Sequence, residues 1–447
     1  MSTTPQGLQR RLGLTEAVSL NMIDMVGIGP FVTLPLIMQL MPGKNALLAW
    51  LLGALLALLD SFVWSELGAA YPEAGGSYQF LKIIFGKKYG KLFAFLYTWQ
   101  TAIQAPLVVA SGAIGFSQYF QYLIPLPEWW QQKLVCIVLI TVLYLLLNRN
   151  IVSTGKISKA LWIGVLAVLA MVIGSGLYHF DSSILQAQEP IRFSWVNIGA
   201  WMILGQASTK AIYCYLGYYN VCHLGAEIQR PETNIPRSMI ISVLAIAGLY
   251  LLLQWVVLGN IDSATAAKSE FVFSTLMQKW FGQQIARWFT ILVLWVALSS
   301  LFAVMLGYSR VLYAAAADGN FIKAFASIDE EKKIPKLSLL WLAVIGGAFS
   351  LLFKLKHVIS AIVVVRILTQ FISQSAGLIW LQKNGTRKLF PYKMPLFPLP
   401  IILSLIIWLF VFFSSKTEYI AGAFGVIIVG LSIYWIKENS SSKKKKY

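Results

Sequence analysis

The feature that most limits this chain is a succession of long apolar stretches with little polar sequence between them. A bilayer core about 30 Å thick is crossed by roughly 20 apolar residues in a helix. Twelve candidate runs lie near residues 16–40, 46–70, 90–123, 132–148, 158–180, 197–226, 237–259, 284–315, 337–354, 357–381, 396–415 and 418–436. They fill most of the 447 residues, which leaves no room for a second, soluble domain. Backbone groups inside hydrocarbon must be satisfied within the spanning structure, so runs of this length predict α-helices. The expected fold is an all-α polytopic membrane protein with twelve transmembrane helices, numbered here as spans 1 to 12.

Composition agrees. The chain is 58% hydrophobic and only 12% charged, against about 25% charged residues in ordinary soluble domains. This excludes a disordered chain, a nucleic-acid-binding domain and an ordinary cytosolic enzyme. The net charge of +18, from 36 basic and 18 acidic residues, would suggest nucleic acid on a soluble protein. On this chain the placement of the charge matters more. With a cytoplasmic N-terminus and alternating spans, 25 of the 36 basic residues fall in cytoplasmic loops and 9 outside, while Lys210 and Arg366 lie within spans. That bias predicts both termini in the cytoplasm and insertion in the cytoplasmic membrane. The run Lys443 to Lys446 reads as a solvated tail touching anionic headgroups. Met1 to Arg11 is polar and lacks the apolar region of a cleavable signal. The cysteines Cys136, Cys214 and Cys222 fall inside apolar runs and read as small core residues, with no disulfide frame and no metal site.

Two spans are interrupted. Span 1 contains Met25-Val26-Gly27-Ile28-Gly29-Pro30-Phe31 at mid-membrane. Glycine costs about 1 kcal/mol in a helix interior and proline about 3. Pro30 is tolerated where it begins a new half-helix, because its missing N–H is unpaired there anyway. The break then offers free amides and a positive dipole end suited to a carboxylate. Span 6 contains Tyr213-Cys214-Tyr215-Leu216-Gly217-Tyr218-Tyr219-Asn220, with Gly217 at mid-span. Breaks in the first helix of each half predict a 5+5 inverted repeat with spans 11 and 12 appended. The corresponding units are 1–180, 181–381 and 382–447.

With these motifs the chain resembles the amino acid–polyamine–organocation (APC) transporters, which have the LeuT-type fold. Gly27-Ile28-Gly29 matches the family's span 1 Gly-x-Gly. The stretch from Ser65 to Tyr78, including Tyr71-Pro72-Glu73 and Gly75-Gly76-Ser77, is similar to the loop after span 2. Tyr215-Leu216-Gly217 followed by Glu227, Pro231 and Ile235-Pro236-Arg237 is similar to the span 6 signature. Ser309-Arg310-Val311-Leu312-Tyr313 with Ala317-Asp318-Gly319 matches the end of span 8. The resemblance implies a mid-membrane site between spans 1, 3, 6, 8 and 10. A substrate carboxylate would meet amides near Gly27, Ile28 and Gly29. An ammonium would meet carbonyls near Met25, Tyr213, Leu216 and Gly217, with Tyr213 as an aromatic gate. The chain departs from the family at Ile28, where a small or hydroxyl residue is common. It departs again at Tyr219, where some exchangers carry Glu, and in span 5, which has no lysine from Ala160 to Phe180.

Ionisable groups within a span are costly and usually face partners or water. Asp24, one turn before the first break, is either a coupling carboxylate or an acceptor for unwound backbone. Asp60 in span 2 reads as a structural pairing residue. Lys210 reads as a structural or gating partner of Asp60 or Asp24, or as a fixed charge at the site. Arg366 in span 10 belongs to an outer gate, or pairs with a helix end, or reaches the interface. Glu66 and Glu227 with Arg310 and Arg237 suggest a cytoplasmic ion-pair network. Ser299 and Ser300 could serve a sodium site or bond their own backbone. Trp99, Gln100 and Gln104 in span 3 fit either pocket lining or helix contact.

No nucleophile, acid–base pair or metal cluster stands out, and no cofactor is called for. The expected function is a secondary active permease for amino acids or related amines, working by alternating access with proton coupling. Exchange of amino acids or polyamines and sodium symport are the alternatives within that class. A polytopic membrane enzyme or a channel is the alternative outside it. The implied partners are a small-molecule substrate, H+ or Na+, and the lipid bilayer, without nucleic acid.

Overall fold

A computed structural model describes residues 10–149, 151–188, 193–329, 331–332 and 334–444. The polar start up to residue 9 and the last two lysines of the tail lie outside the described residues. The described chain is helical, with only two isolated bridges, Leu12 with Ile228 and Ala74 with Leu224.

In chain order the helices are α1 (Leu14–Met25), α2 (Gly29–Leu40), α3 (Ala46–Ala70), α4 (Ser77–Ile84), α5 (Gly86–Phe120), α6 (Trp129–Leu147) and α7 (Ile151–Tyr178). After the short α8 (Ser182–Ala187) come α9 (Ile198–Tyr215), α10 (Asn220–His223), α11 (Pro231–Leu258), α12 (Ser263–Lys268), α13 (Val272–Phe281) and α14 (Gln283–Ala317). The chain ends with α15 (Lys336–Leu352), α16 (Leu355–Arg366), α17 (Ser373–Lys383), α18 (Leu399–Ser414) and α19 (Thr417–Lys444). A π-helical segment, Ile367–Ile372, joins α16 to α17.

Every one of the twelve apolar runs holds a helix. Among the described residues, eight helices are long and apolar enough to cross a bilayer, and α1 with α2, bent by 42°, makes a ninth. Helices α15 and α18 are apolar but shorter. At 1.5 Å per residue they reach about 25 Å, somewhat less than the hydrocarbon core. The chain is thus an integral membrane protein on length and composition.

The packing places the broken helices centrally. Helix α1 lies against α11, α7 and α14, and α2 lies against α9. Helix α3 packs on α11, α9 and α18, while α5 packs on α14, α15, α6 and α16. Two short amphipathic helices, α4 and α13, each fold back on the long helix that follows them. The bundle end that carries the N-terminal segment is closed by buried ion pairs. Arg310 donates to Glu227 at 3.0 Å, with both side chains almost fully buried. Glu66 accepts from Arg387 and, at 2.8 Å, from the Met394 amide. The N-terminal segment is stitched to the same place, since the Arg11 and Leu12 amides both donate to the Glu227 carbonyl at 2.9 Å. Glu66, Glu227 and Arg310 are thus in buried ion pairs, as two separate pairs with Arg387 rather than Arg237 as the fourth member.

Candidate functional site at two broken helices

The first break follows from local backbone chemistry. Helix α1 ends when the Val26 amide closes on the Met22 carbonyl at 2.8 Å, and Gly27 turns back to Met25 at 3.1 Å. Helix α2 restarts with Pro30 in its first turn. The amides of Ile28, Gly29 and Phe31 have no hydrogen-bond acceptor among the described residues. Such unpaired amides at a helix N-terminus carry the positive end of the dipole.

The second break is set by Gly217. Its φ of +129° is a conformation that side-chain-bearing residues rarely adopt, and a Cβ there would lie 2.9 Å from the Cβ and Cγ of Asp24. The two breaks therefore pack on each other. A Cβ on Gly29 would meet the Cys214 sulfur at 3.2 Å and the Tyr213 ring at 3.4 Å. Thr33 and Cys214 are in contact at 2.9 Å. A side chain at Gly27 would occupy the place of the Ser300 hydroxyl.

Between the breaks is a cavity of about 40 Å³ open to water-sized molecules. Asp24, Met25, Gly27, Ile28 and Gly29 line it from the first break, and Tyr213, Leu216 and Gly217 from the second. Ser300 and Tyr308 on α14, Gly112 on α5, and Ile362 and Arg366 on α16 complete its wall. The Asp24 side chain makes no hydrogen bond or ion pair among the described residues. Arg366 is buried, and its Nε donates to Gln370 at 2.8 Å. The guanidinium lies 4.9 Å from the Tyr219 ring centroid and 5.3 Å from that of Phe371. One terminal nitrogen, Nη2, has no partner. A cation over ring faces is held by their quadrupoles, so the rings fix Arg366 at the cavity without neutralising it.

Several residues singled out in the sequence lie elsewhere. Asp60 is buried behind the second break, where it accepts from Tyr218 and, at 3.4 Å, from the Trp408 indole. It anchors the linker that follows Gly217. Lys210 has neither Asp60 nor Asp24 within ion-pair distance. It donates to Ser360 at 2.5 Å in a separate cavity. Ser299 donates to the Trp295 carbonyl of its own helix at 2.7 Å, whereas the adjacent Ser300 lines the cavity. Trp99 donates to the Val426 carbonyl on α19 at 3.1 Å and faces away. Gln104 is buried on α5 outside the cavity wall, with both amide atoms unpartnered. Arg366, by contrast, lines the cavity itself.

Sequence reading missed Tyr250. On α11, its hydroxyl lies 2.7 Å from the Met25 carbonyl and 3.2 Å from the Cys214 carbonyl. It thus sits between the last turns of α1 and α9. The available signal was a single hydroxyl inside the apolar run Gly248-Leu249-Tyr250-Leu251-Leu252.

Comparison of the sequence with known proteins gives a family. The sequence model of a family described as amino acid permease matches residues 12–434. The chain belongs to the amino acid permease family. Among its relatives is the serine/threonine exchanger SteT of Bacillus subtilis, 26% identical over 97% of this chain and 98% of the relative. The branched-chain amino acid permease BcaP of Lactococcus lactis is 25% identical over 90% of this chain and 89% of its own length. The human b(0,+)-type amino acid transporter 1 is 24% identical over 76% of this chain and 70% of its own. This permease is thus a transporter rather than an enzyme.

Proposed function

We propose that the chain moves amino acids by alternating access around the cavity between the two breaks. The observation that carries this reading is the apposition of Gly29 to Cys214 and of Gly217 to Asp24 within one cavity. The unpaired amides of Ile28, Gly29 and Phe31 suit a substrate carboxylate. The last turns of α1 and α9, near Met25, Tyr213, Leu216 and Gly217, present the negative dipole ends suited to an ammonium. The amide donors of Ile28 and Gly29 and the helix-end carbonyls belong to residues lining the same small cavity, as binding a zwitterion requires.

A 5+5 inverted repeat is supported by packing pairs that recur five spans apart. The pair α1–α11 is matched by α9–α3, α7–α14 by α16–α5, and α5–α6 by α14–α15. The loop bias of basic residues supports cytoplasmic termini and insertion in the cytoplasmic membrane. Asp24 is the coupling carboxylate in this reading, because it faces the cavity without a fixed hydrogen-bond partner, and H+ is the coupling ion. Gradient-driven uptake in proteoliposomes tests it. Asp24→Asn should abolish accumulation driven by a pH gradient while leaving exchange measurable. Unchanged pH-driven accumulation rejects the role of Asp24.

A second reading, obligatory exchange, is favoured by one observation. Arg366 is a fixed cation lining the same cavity as Asp24, so a mobile cation is not required for charge balance. Counterflow in the absence of pH and sodium gradients, with no net uptake under either gradient, would select exchange.

A further inference from the structure

A second cavity lies apart from the one between the breaks. Its volume is about 210 Å³, and it is lined by Gln206 and Lys210 on α9, His357 and Ser360 on α16, and Lys416 and Tyr419 beside and on α19. Its charged lining is one-sided. Lys210 and Lys416 contribute to it, and no Asp or Glu lines it among the described residues. Glu418 is nearby in sequence but is exposed and not part of the wall.

Lys210 is the deepest of these groups. It is partly buried, and its ammonium donates to Ser360 at 2.5 Å. An ammonium has three donors, and no carboxylate of the described residues is within 4.0 Å of it. A cation withdrawn from bulk water without an opposite charge is costly. The remaining lining offers donors as well as acceptors, including the hydroxyl of Tyr419 at 3.2 Å from His357 Nδ1.

The position is also informative. Helix α9 carries Tyr213 at the first cavity and Lys210 at this one, while α16 carries Ile362 at the first and Ser360 at this one. Helix α2 contributes Gly29 to the first and Leu36 to the second. The two cavities therefore share three helices and are offset along them by about half a turn on α16, one turn on α9 and two turns on α2.

We propose that this cavity is a second binding site, specific for an oxyanion that pairs with Lys210. The chemistry is that of a carboxylate or a phosphate monoester or diester. Two sources supply it: a small solute, such as a free amino acid or phosphate, and the headgroup of an anionic lipid. The space is larger than a single phosphate group needs, so part of a headgroup or of an amino acid fits with it.

The test uses the full chain in nanodiscs and reads its thermal unfolding midpoint. Inorganic phosphate, glycine and acetate are titrated in phosphatidylcholine discs against chloride at equal ionic strength. In a second arm phosphatidylglycerol replaces part of the phosphatidylcholine. At least one source should raise the midpoint saturably. Lys210→Gln should weaken that response by about tenfold or more, as loss of a charge-assisted hydrogen bond does, and Lys210→Arg should retain it. Lys416→Gln, a change at an exposed residue, should weaken it to a smaller extent and keeps the test valid if Lys210→Gln fails to fold. A response to the solutes alone assigns a solute site, and a response to phosphatidylglycerol alone assigns a lipid site. The proposal is overturned if no source acts beyond chloride, or if the lysine variants respond like the wild type. Neither result depends on whether transport is coupled to protons.

Discussion

Asp24 and Gly217 are in direct contact across the two broken helices: a Cβ on residue 217 would lie 2.9 Å from the aspartate's own Cβ and Cγ. Gly217→Ala therefore combines two penalties. A positive-φ residue with a side chain costs about 1–2 kcal/mol, and overpacking a tight site costs about 1–3 kcal/mol. The variant should lose several degrees of thermal stability and most of its uptake. Gly248→Ala, at a helix-interior glycine where an added Cβ would meet nothing within 4 Å, should leave uptake unchanged and stability equal or slightly higher, and serves as the control.

Tyr250 bridges the carbonyls of Met25 and Cys214. Tyr250→Phe keeps the ring packing against Trp50 and Tyr215 and removes only the hydroxyl. The expected loss is about 1–2 kcal/mol, typical of a buried hydrogen bond whose acceptors are left unsatisfied. Because both acceptors belong to the last turns that face the cavity, the half-saturating substrate concentration in proteoliposome uptake should rise by up to about tenfold. A stability loss with unchanged substrate dependence would confine Tyr250 to packing.

Arg366 separates charge from shape. Arg366→Lys keeps the cation but loses the planar fork that bonds Gln370 and lies over Tyr219, and these two residues are not interchangeable at such sites. Arg366→Gln removes the charge as well. If the cation balances Asp24 during exchange, Arg366→Gln should reduce counterflow more than Arg366→Lys, by at least about tenfold relative to wild type. Equal effects of the two variants would mean that geometry, not charge, is what the site requires.

Much of this was legible in the sequence, and the reasons are local. Apolar run length reported the helices, because hydrocarbon enforces internal hydrogen bonding. Gly27, Gly29, Pro30 and Gly217 reported the breaks, because each is a residue that a helix interior rejects. Asp24 reached the cavity because it lies immediately before the first break in the sequence. The facing of Trp99, Lys210, Asp60 and Ser299 was not legible. A helix in a multi-span bundle is apolar nearly all round, so hydropathy does not say which side meets the cavity. Ser299 and Ser300 make the point: adjacent and chemically identical, they point to different surroundings. Tyr250 was missed because it acts through carbonyl groups of other helices, and those contacts are far apart in sequence.

The ion pair between Glu227 and Arg310 yields the last prediction. Both side chains are almost fully buried, and the backbone carbonyl of Glu227 also holds the amides of Arg11 and Leu12. Removing one partner of a buried pair leaves an uncompensated charge and costs about 3–5 kcal/mol, whereas removing both can be nearly neutral. Glu227→Gln and Arg310→Met should each lower the thermal midpoint sharply, and the double variant should recover part of the loss. Proteolysis of the N-terminal segment supplies a second readout. If the pair closes this end of the bundle, either single variant should expose the bond after Arg11 to trypsin, and the double variant should expose it less. Additive losses in the double variant, with equal cleavage in all three, would show that the two side chains act independently.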